Sequence, residues 1–146
     1  MEPRMMKVNV VKLSDSAKIP TYAHAGDAGA DLYASEDFSL PRHSAGAVPT
    51  GIAMEIPREY VGYINPRSGM AMKGITVMNA PGTIDSGYRG EIKVILVNHT
   101  DRDYQVTKGD KVAQMVFHKC HEVFFEPVAE LDSSERGKGG FGSSGN

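Results

Sequence analysis

Three prolines, Pro49, Pro57 and Pro66, confine two apolar runs, GIAMEI (residues 51–56) and YVGYI (residues 60–64), to lengths a strand can use. A helix of ordinary length has no room between them, because proline removes an amide donor and clashes with the preceding turn. Similar short runs recur along the chain: KVNVVKL at 7–13, ITVM at 75–78, EIKVILV at 91–97, KVAQMVF at 111–117, and a last run at 123–128. Short β-branched runs with turn signals between them predict an all-β sandwich or barrel. The exception is a helical turn or two near residues 68–73. In EIKVILV, Ile92, Val94 and Leu96 share one face of a strand, and Ile95 and Val97 lie on the other. A strand apolar on both faces is expected to be covered on both, by a second sheet or by a neighbouring subunit.

With 146 residues, the chain suits a single domain with a proper core. Its formal charge of −2 argues against a general nucleic-acid coat, whose affinity for phosphate needs a basic surface. A small anionic ligand remains compatible, since a few placed cations suffice for it. The single cysteine, Cys120, excludes an internal disulfide framework and a cysteine-based zinc cage. No apolar run approaches a membrane span, and the N-terminal MEPRMMKVNVVKLSDS has no continuous apolar segment of the signal type. The expectation is a soluble intracellular protein, cytoplasmic, with the nucleus open for a eukaryotic or viral source. From Asp132 the composition changes to DSSERGKGGFGSSGN, which cannot bury enough apolar surface to fold alone. The chain therefore divides into a β domain, residues 1–131, and a mobile arm, residues 132–146.

Four loops and the arm carry the chemistry. NPRSGMAMKG (residues 65–74) presents Arg67, a fork-shaped phosphate donor, beside the hydroxyl and amides of Ser68 and Gly69. NAPGTIDSGYRGE (residues 79–91) sets Asp85 inside a tight hairpin or loop, with Tyr88 and Arg89 just beyond. An acid flanked by a ring and by glycine amides suits a polar ligand with a flat part; a turn-capping Asp is the plainer alternative. AGDAGADLYA (residues 25–34) offers Asp27 and Asp31, either as Asx-turn residues or as oxygen ligands for a hard cation such as Mg²⁺. In KGDKVAQ (residues 108–114), Gln114 interrupts an apolar strand pattern and needs a partner, a braced loop or a ligand. HKCH (residues 118–121) lacks a fourth metal ligand, and neighbouring strand residues point to opposite faces. No nucleophile elbow and no Walker loop is present, since no Gly-Lys pair precedes Ser or Thr. RGKGGFGSSG (residues 136–145) reads equally as a flexible tail or as a nucleotide-binding segment, with two cations, one ring and many free amides.

In chain order, AGADL, PRSG, GTIDSGYRGE, GDKVAQ and RGKGGFGSSG resemble the five motifs of the trimeric deoxyuridine triphosphate nucleotidohydrolases, the dUTPases. Each motif alone is weak; all five in order over almost the whole chain are specific. The resemblance implies a distorted β jelly-roll or barrel subunit, a homotrimer with active sites at subunit interfaces, and an arm that closes a neighbour's site. It implies Mg²⁺-assisted hydrolysis of dUTP to dUMP and pyrophosphate, which keeps uracil out of DNA and supplies dUMP for thymidylate synthesis.

By position, it assigns Asp85 to the deoxyribose 3′-hydroxyl and to the attacking water as base. The hairpin from Asn79 through Gly82, Thr83 and Ile84 to Tyr88 holds uracil through backbone groups and the Asn79 amide, with the Tyr88 ring against the sugar. Arg67, Ser68, Gly69 and Gln114 meet the phosphate chain. Asp31 supports the metal through water, while the triphosphate holds Mg²⁺ for the most part. Arg136, Gly142 and Ser143 serve the phosphate end of the arm, and Phe141 stacks over uracil. Many family members have an acid where Gly87 stands and threonine where Ser144 stands, so loop electrostatics near the hairpin are expected to differ. Two other readings compete: a dCTP deaminase on the same fold, and a retired nucleotide-sensing protein. Tyr88 and the intact aromatic arm favour the hydrolase over the first, and the retained acid, metal-site carboxylate and arm arginine favour it over the second.

Overall fold

The computed structural model describes residues 5–145; the first four residues, part of the N-terminal stretch read for a signal, and Asn146, the end of the arm, lie outside the described residues. Eleven strands and one short helix follow in order: β1 (Asn9–Lys12), β2 (Ala30–Tyr33), β3 (Phe38–Leu40), β4 (Ala45–Pro49), β5 (Ile52–Glu55), β6 (Tyr60–Asn65), α1 (Ser68–Met72), β7 (Ile75–Val77), β8 (Gly82–Ile84), β9 (Lys93–Asn98), β10 (Tyr104–Val106) and β11 (Lys111–Lys119). They form four small antiparallel sheets, ordered β1-β5, β10-β3, β2-β11-β6-β8 and β4-β9-β7. The result is all-β and jelly-roll-like, and the sheets do not close into one barrel.

One apolar core joins the sheets. Leu32 comes from β2, Leu40 from β3, Val48 from β4, Ile52 from β5, Leu96 from β9 and Met115 from β11, all essentially inaccessible to water. Alternation along β9 buries Val94 and Leu96 completely while Lys93 faces out. The second apolar face predicted for this strand is only half covered within the subunit: Ile95 is 37% exposed.

One buried polar group is fully satisfied. The Asn98 amide donates to the carbonyls of Leu40 (3.1 Å) and Arg102 (2.7 Å), and its oxygen accepts from the Thr100 amide and hydroxyl. Leaving such a group unpaired would cost about 1–3 kcal/mol, so this residue fixes the turn after β9.

Helix α1 is the one predicted near residue 68. Arg67 stands at its N-cap in extended geometry, and buried Met70 anchors it. Gly74 ends it at φ +84°, a region that disfavours other residues. The run at 123–128 is not a strand. Regular structure ends at Lys119, and Val123, Phe124, Phe125 and Val128 stand exposed. A strand needs a partner backbone, and this segment finds none within its own chain among the described residues.

Candidate functional site

The hairpin of residues 79–88 grows from the sheet. β8 pairs with β6 through Gly62↔Ile84, Tyr63↔Thr83 and Ile64↔Gly82. Gly82 is buried against β6, where a Cβ would come within 3.2 Å of Ile64 Cβ and 3.4 Å of the Asn79 amide nitrogen. That close approach places the Asn79 amide beside the strand. The chain reverses after β8 with the Tyr88 amide donating to the Asp85 carbonyl (3.1 Å). The Arg89 guanidinium donates to the Ser86 carbonyl at 2.7 Å and clips the turn shut. The Tyr88 hydroxyl donates to the Glu91 carbonyl (2.9 Å), laying the ring across Gly90, where an added Cβ would sit 2.5 Å from the phenol oxygen.

Asn79, Gly82, Thr83, Ile84, Asp85 and Tyr88 thereby line one open cavity of about 600 Å³, which Ala47, Ile64, Glu91, Lys93 and Ile95 complete. Tyr88 is 44% exposed, a wall of the cavity rather than a core tyrosine. Arg89, the cation read in the same small loop, is there, and it also lines a separate surface depression with Val10 and Glu55 rather than this cavity.

Asp31, Arg67, Ser68, Gly69 and Gln114 come together in a second cavity, of about 440 Å³, with Lys111, His24 and Asp27. Strand pairing sets Asp31 opposite Gln114, and Gln114 opposite Asn65 at the end of β6. The Gln114 amide donates to the Pro66 carbonyl (3.0 Å), so this interior glutamine braces the loop that carries Arg67. Gly29 makes room for it, since a Cβ there would overlap the Gln114 carboxamide. Asp31 is almost buried and holds a cation on each oxygen: Arg67 Nε at 3.3 Å from Oδ1 and Lys111 Nζ at 3.3 Å from Oδ2.

The two cavities share no lining residue. β2 and β8 sit three strand spacings apart in their sheet, roughly 14 Å. Arg136, Phe141, Gly142 and Ser143 line neither cavity. The arm coils on itself: the Arg136 guanidinium donates to the Gly139 carbonyl (2.8 Å) and the Ser143 amide to the Gly140 carbonyl (3.1 Å). The Phe141 ring is fully exposed.

Lys93 and Lys111 were missed from sequence. Each opens a strand and faces outward, the place of an ordinary solvated lysine, and only the fold shows which cavity it faces. Burial, with a smaller contribution from Asp110, raises the Tyr104 phenol above its ordinary value; it lies on β10, in neither cavity. Among the described residues, no group of three or more His, Cys, Asp or Glu side chains is arranged to hold a metal ion. No helix among them is long and apolar enough to cross a membrane.

These features define a class: an all-β subunit with an acid-bearing hairpin cavity, a separate cavity of paired cations, and a glycine-rich arm committed to neither. The family model described as dUTPase matches residues 15–145, and the chain belongs to the dUTPase family. A deoxyuridine 5′-triphosphate nucleotidohydrolase of Clostridioides difficile is 49% identical over 97% of this chain and 99% of its own. One of Gloeothece citriformis is 50% identical over 96% of this chain and 97% of its own. Among solved structures, the dUTPase of Staphylococcus bacteriophage 80alpha with dUPNHPP superposes with a TM-score of 0.90 at 29% identity, covering 97% of this chain and all of that one. A mutant dUTPase of the S. aureus phage phi11, whose structure concerns the coordination of a structural Mg(II) ion, has a TM-score of 0.81 at 27% identity, covering 88% of this chain and all of that one.

Proposed function

We propose that this chain hydrolyses dUTP to dUMP and pyrophosphate as a homotrimer, removing dUTP as a precursor of DNA and delivering dUMP for thymidylate synthesis. The observation that carries the reading is the grouping of residues: base- and sugar-directed groups around Asp85 in one cavity, phosphate-directed groups around Arg67 in the other. Their separation within one chain supports a site completed between copies. So do the exposed Val123, Phe124 and Phe125, an apolar run that a neighbouring copy would cover.

In this reading uracil lies along the backbone of β8, with the Asn79 amide reading its edge. Thymine's methyl would require the strands to move, and cytosine would leave backbone donors and acceptors mismatched. The Tyr88 ring packs where a ribose 2′-hydroxyl would stand. Asp85, acceptor-only when ionised, orients the 3′-hydroxyl and takes the proton of the water that attacks the α-phosphorus in line. Arg67, Ser68, Gly69 and Gln114 hold the phosphates, and the arm brings Arg136, Gly142 and Ser143 to the far phosphate and Phe141 over the base. Hydrolysis of this type needs positioning and charge neutralisation, and no covalent intermediate.

The donor set fits Mg²⁺ in one way only. Of the two carboxylates at the phosphate cavity, Asp31 is already paired to two cations and Asp27 contacts His24, so the chain fits an ion carried by the triphosphate and touched by Asp31 through water. Bound so, Mg²⁺ supplies neutralisation of phosphate charge.

The test is pyrophosphate release from each deoxynucleoside triphosphate and from UTP, with and without Mg²⁺. Selective, Mg²⁺-dependent turnover of dUTP is expected. Equal turnover of dTTP would overturn the hairpin's role, ammonia release from dCTP would favour the deaminase, and no turnover at all would leave a binding protein.

A further inference from the structure

We infer that Lys111 is a further binding residue for the phosphate chain, and that Asp31 is the positioning residue that holds Lys111 and Arg67 toward it. The inference rests on reading the cavity of Arg67, Ser68 and Gln114 as the seat of the phosphates. Asp31 lies on β2 with its side chain only 11% exposed, and its two oxygens divide between two cations at equal distance, 3.3 Å each. Asp31 thus faces two cations at once. The second acid of the cavity, Asp27, makes its recorded contacts with His24 instead, its carboxylate accepting from the His24 amide at 2.9 Å and meeting the ring Nδ1 at 3.2 Å.

Each cation is held by one contact and has donors to spare. Arg67 meets Asp31 through Nε, which leaves the two terminal nitrogens of its fork outside that contact. Lys111 has three donors and meets Asp31 through a single ion-pair contact. A cluster whose only task was to brace the sheet and the loop after β6 would be expected to be covered. Here the cationic side chains are 35% and 40% exposed, and both open on the one cavity that also receives Ser68 and Gln114. Held on a shared carboxylate, the two like charges sit close together without moving apart, which is the arrangement a chain of phosphates needs. This role for Asp31 operates without a metal ion.

The experiment measures binding of dUTP and of dUMP by calorimetry to the full chain with Mg²⁺ chelated, so that the ratio of the two dissociation constants reads the outer phosphates alone. Lys111→Met is expected to lower the dUTP preference about tenfold, the usual weight of a hydrogen bond to a charged group. Lys111→Arg should restore most of it. On an Asp31→Asn background the further effect of Lys111→Met should shrink below threefold, because the lysine is no longer held in place. Arg67→Gln is the control. If Arg67→Gln lowers the preference and Lys111→Met leaves it within twofold, the inference on Lys111 is wrong while the reading of the cavity stands. If Arg67→Gln also changes nothing, the cavity is not the phosphate seat and that reading fails. If Lys111→Met costs the same on both backgrounds, Asp31 does not position it.

Discussion

The hairpin of residues 79–88 and the arm of residues 136–145 are both glycine-bearing loops with one aromatic ring and one acid or arginine, yet they are built in opposite ways. The hairpin is tied to the rest of the molecule at every turn: β8 pairs with β6, Gly82 is buried, Arg89 clips the reversal, and Tyr88 is bonded to the Glu91 carbonyl. Among the described residues the arm's hydrogen bonds stay within residues 134–145. A ligand that meets the hairpin finds its groups already placed. A ligand that recruits the arm must offset the entropy of ordering it, roughly 1–2 kcal/mol per fixed residue. The first suits selection and chemistry, the second suits closure over a bound substrate.

The comparison would break most sharply at Asp85. Asp85→Asn should leave the hairpin intact and dUTP binding close to normal, while turnover falls on the order of 10²-fold or more, as losses of a general base do. Single-turnover kinetics beside equilibrium binding give both numbers, and normal turnover would refute the assignment. Next comes removal of the arm before Arg136. Because none of the hydrogen bonds of its described residues reaches the β domain, its loss should leave the melting temperature unchanged within about 2 °C, while kcat/KM for dUTP drops roughly 10- to 100-fold. A truncated chain that kept full activity would reduce the arm to a tail.

How much of this could be read in advance follows from the same contrast. The hairpin residues are contiguous, so the motif GTIDSGYRGE announces one wall of a cavity that β4, β6 and β9 then complete. Strands bounded by prolines were legible for a similar reason, since Pro57 and Pro66 bracket β6 and nothing else fits between them. β3, β8 and β10 are three residues long, too short for alternation to show. Residues 123–128 have strand composition, but pairing is a property of two backbones, and among the described residues no strand pairs with them. Lys111 went unseen because its meaning depends on Asp31, eighty residues away in sequence and brought alongside only by the β2–β11 pairing.

A smaller effect tests whether the hairpin's rigidity matters for the sugar. Gly90→Ala places a methyl group 2.5 Å from the Tyr88 hydroxyl, so the ring must leave its seat across the turn. The Asp85 carboxylate, attached on the other side of the reversal, has no reason to move. The expected outcome is a loss of discrimination between dUTP and UTP of about 5- to 20-fold, the range one lost packing contact gives. An unchanged ratio would separate Tyr88 from the 2′ position.

The smallest effect belongs to the arm, and it distinguishes flexibility from mere exposure. Gly142 adopts φ +87° with open space around the position of a Cβ. Alanine there meets no clash, so the free protein should fold and melt as before. Its cost is conformational: holding a non-glycine residue in that region costs on the order of 1–2 kcal/mol. If the bound arm keeps this turn, the penalty falls on the closed state alone. KM for dUTP would then rise about 3- to 10-fold with kcat little changed, the pattern of an ordering step that precedes chemistry. The same substitution at Gly69, which also has open space but no positive φ, lacks that penalty and should leave KM within about twofold unless its amide is displaced. A matched loss at both positions would mean that the glycines serve by being small, and that the arm is not a segment whose backbone must turn to close.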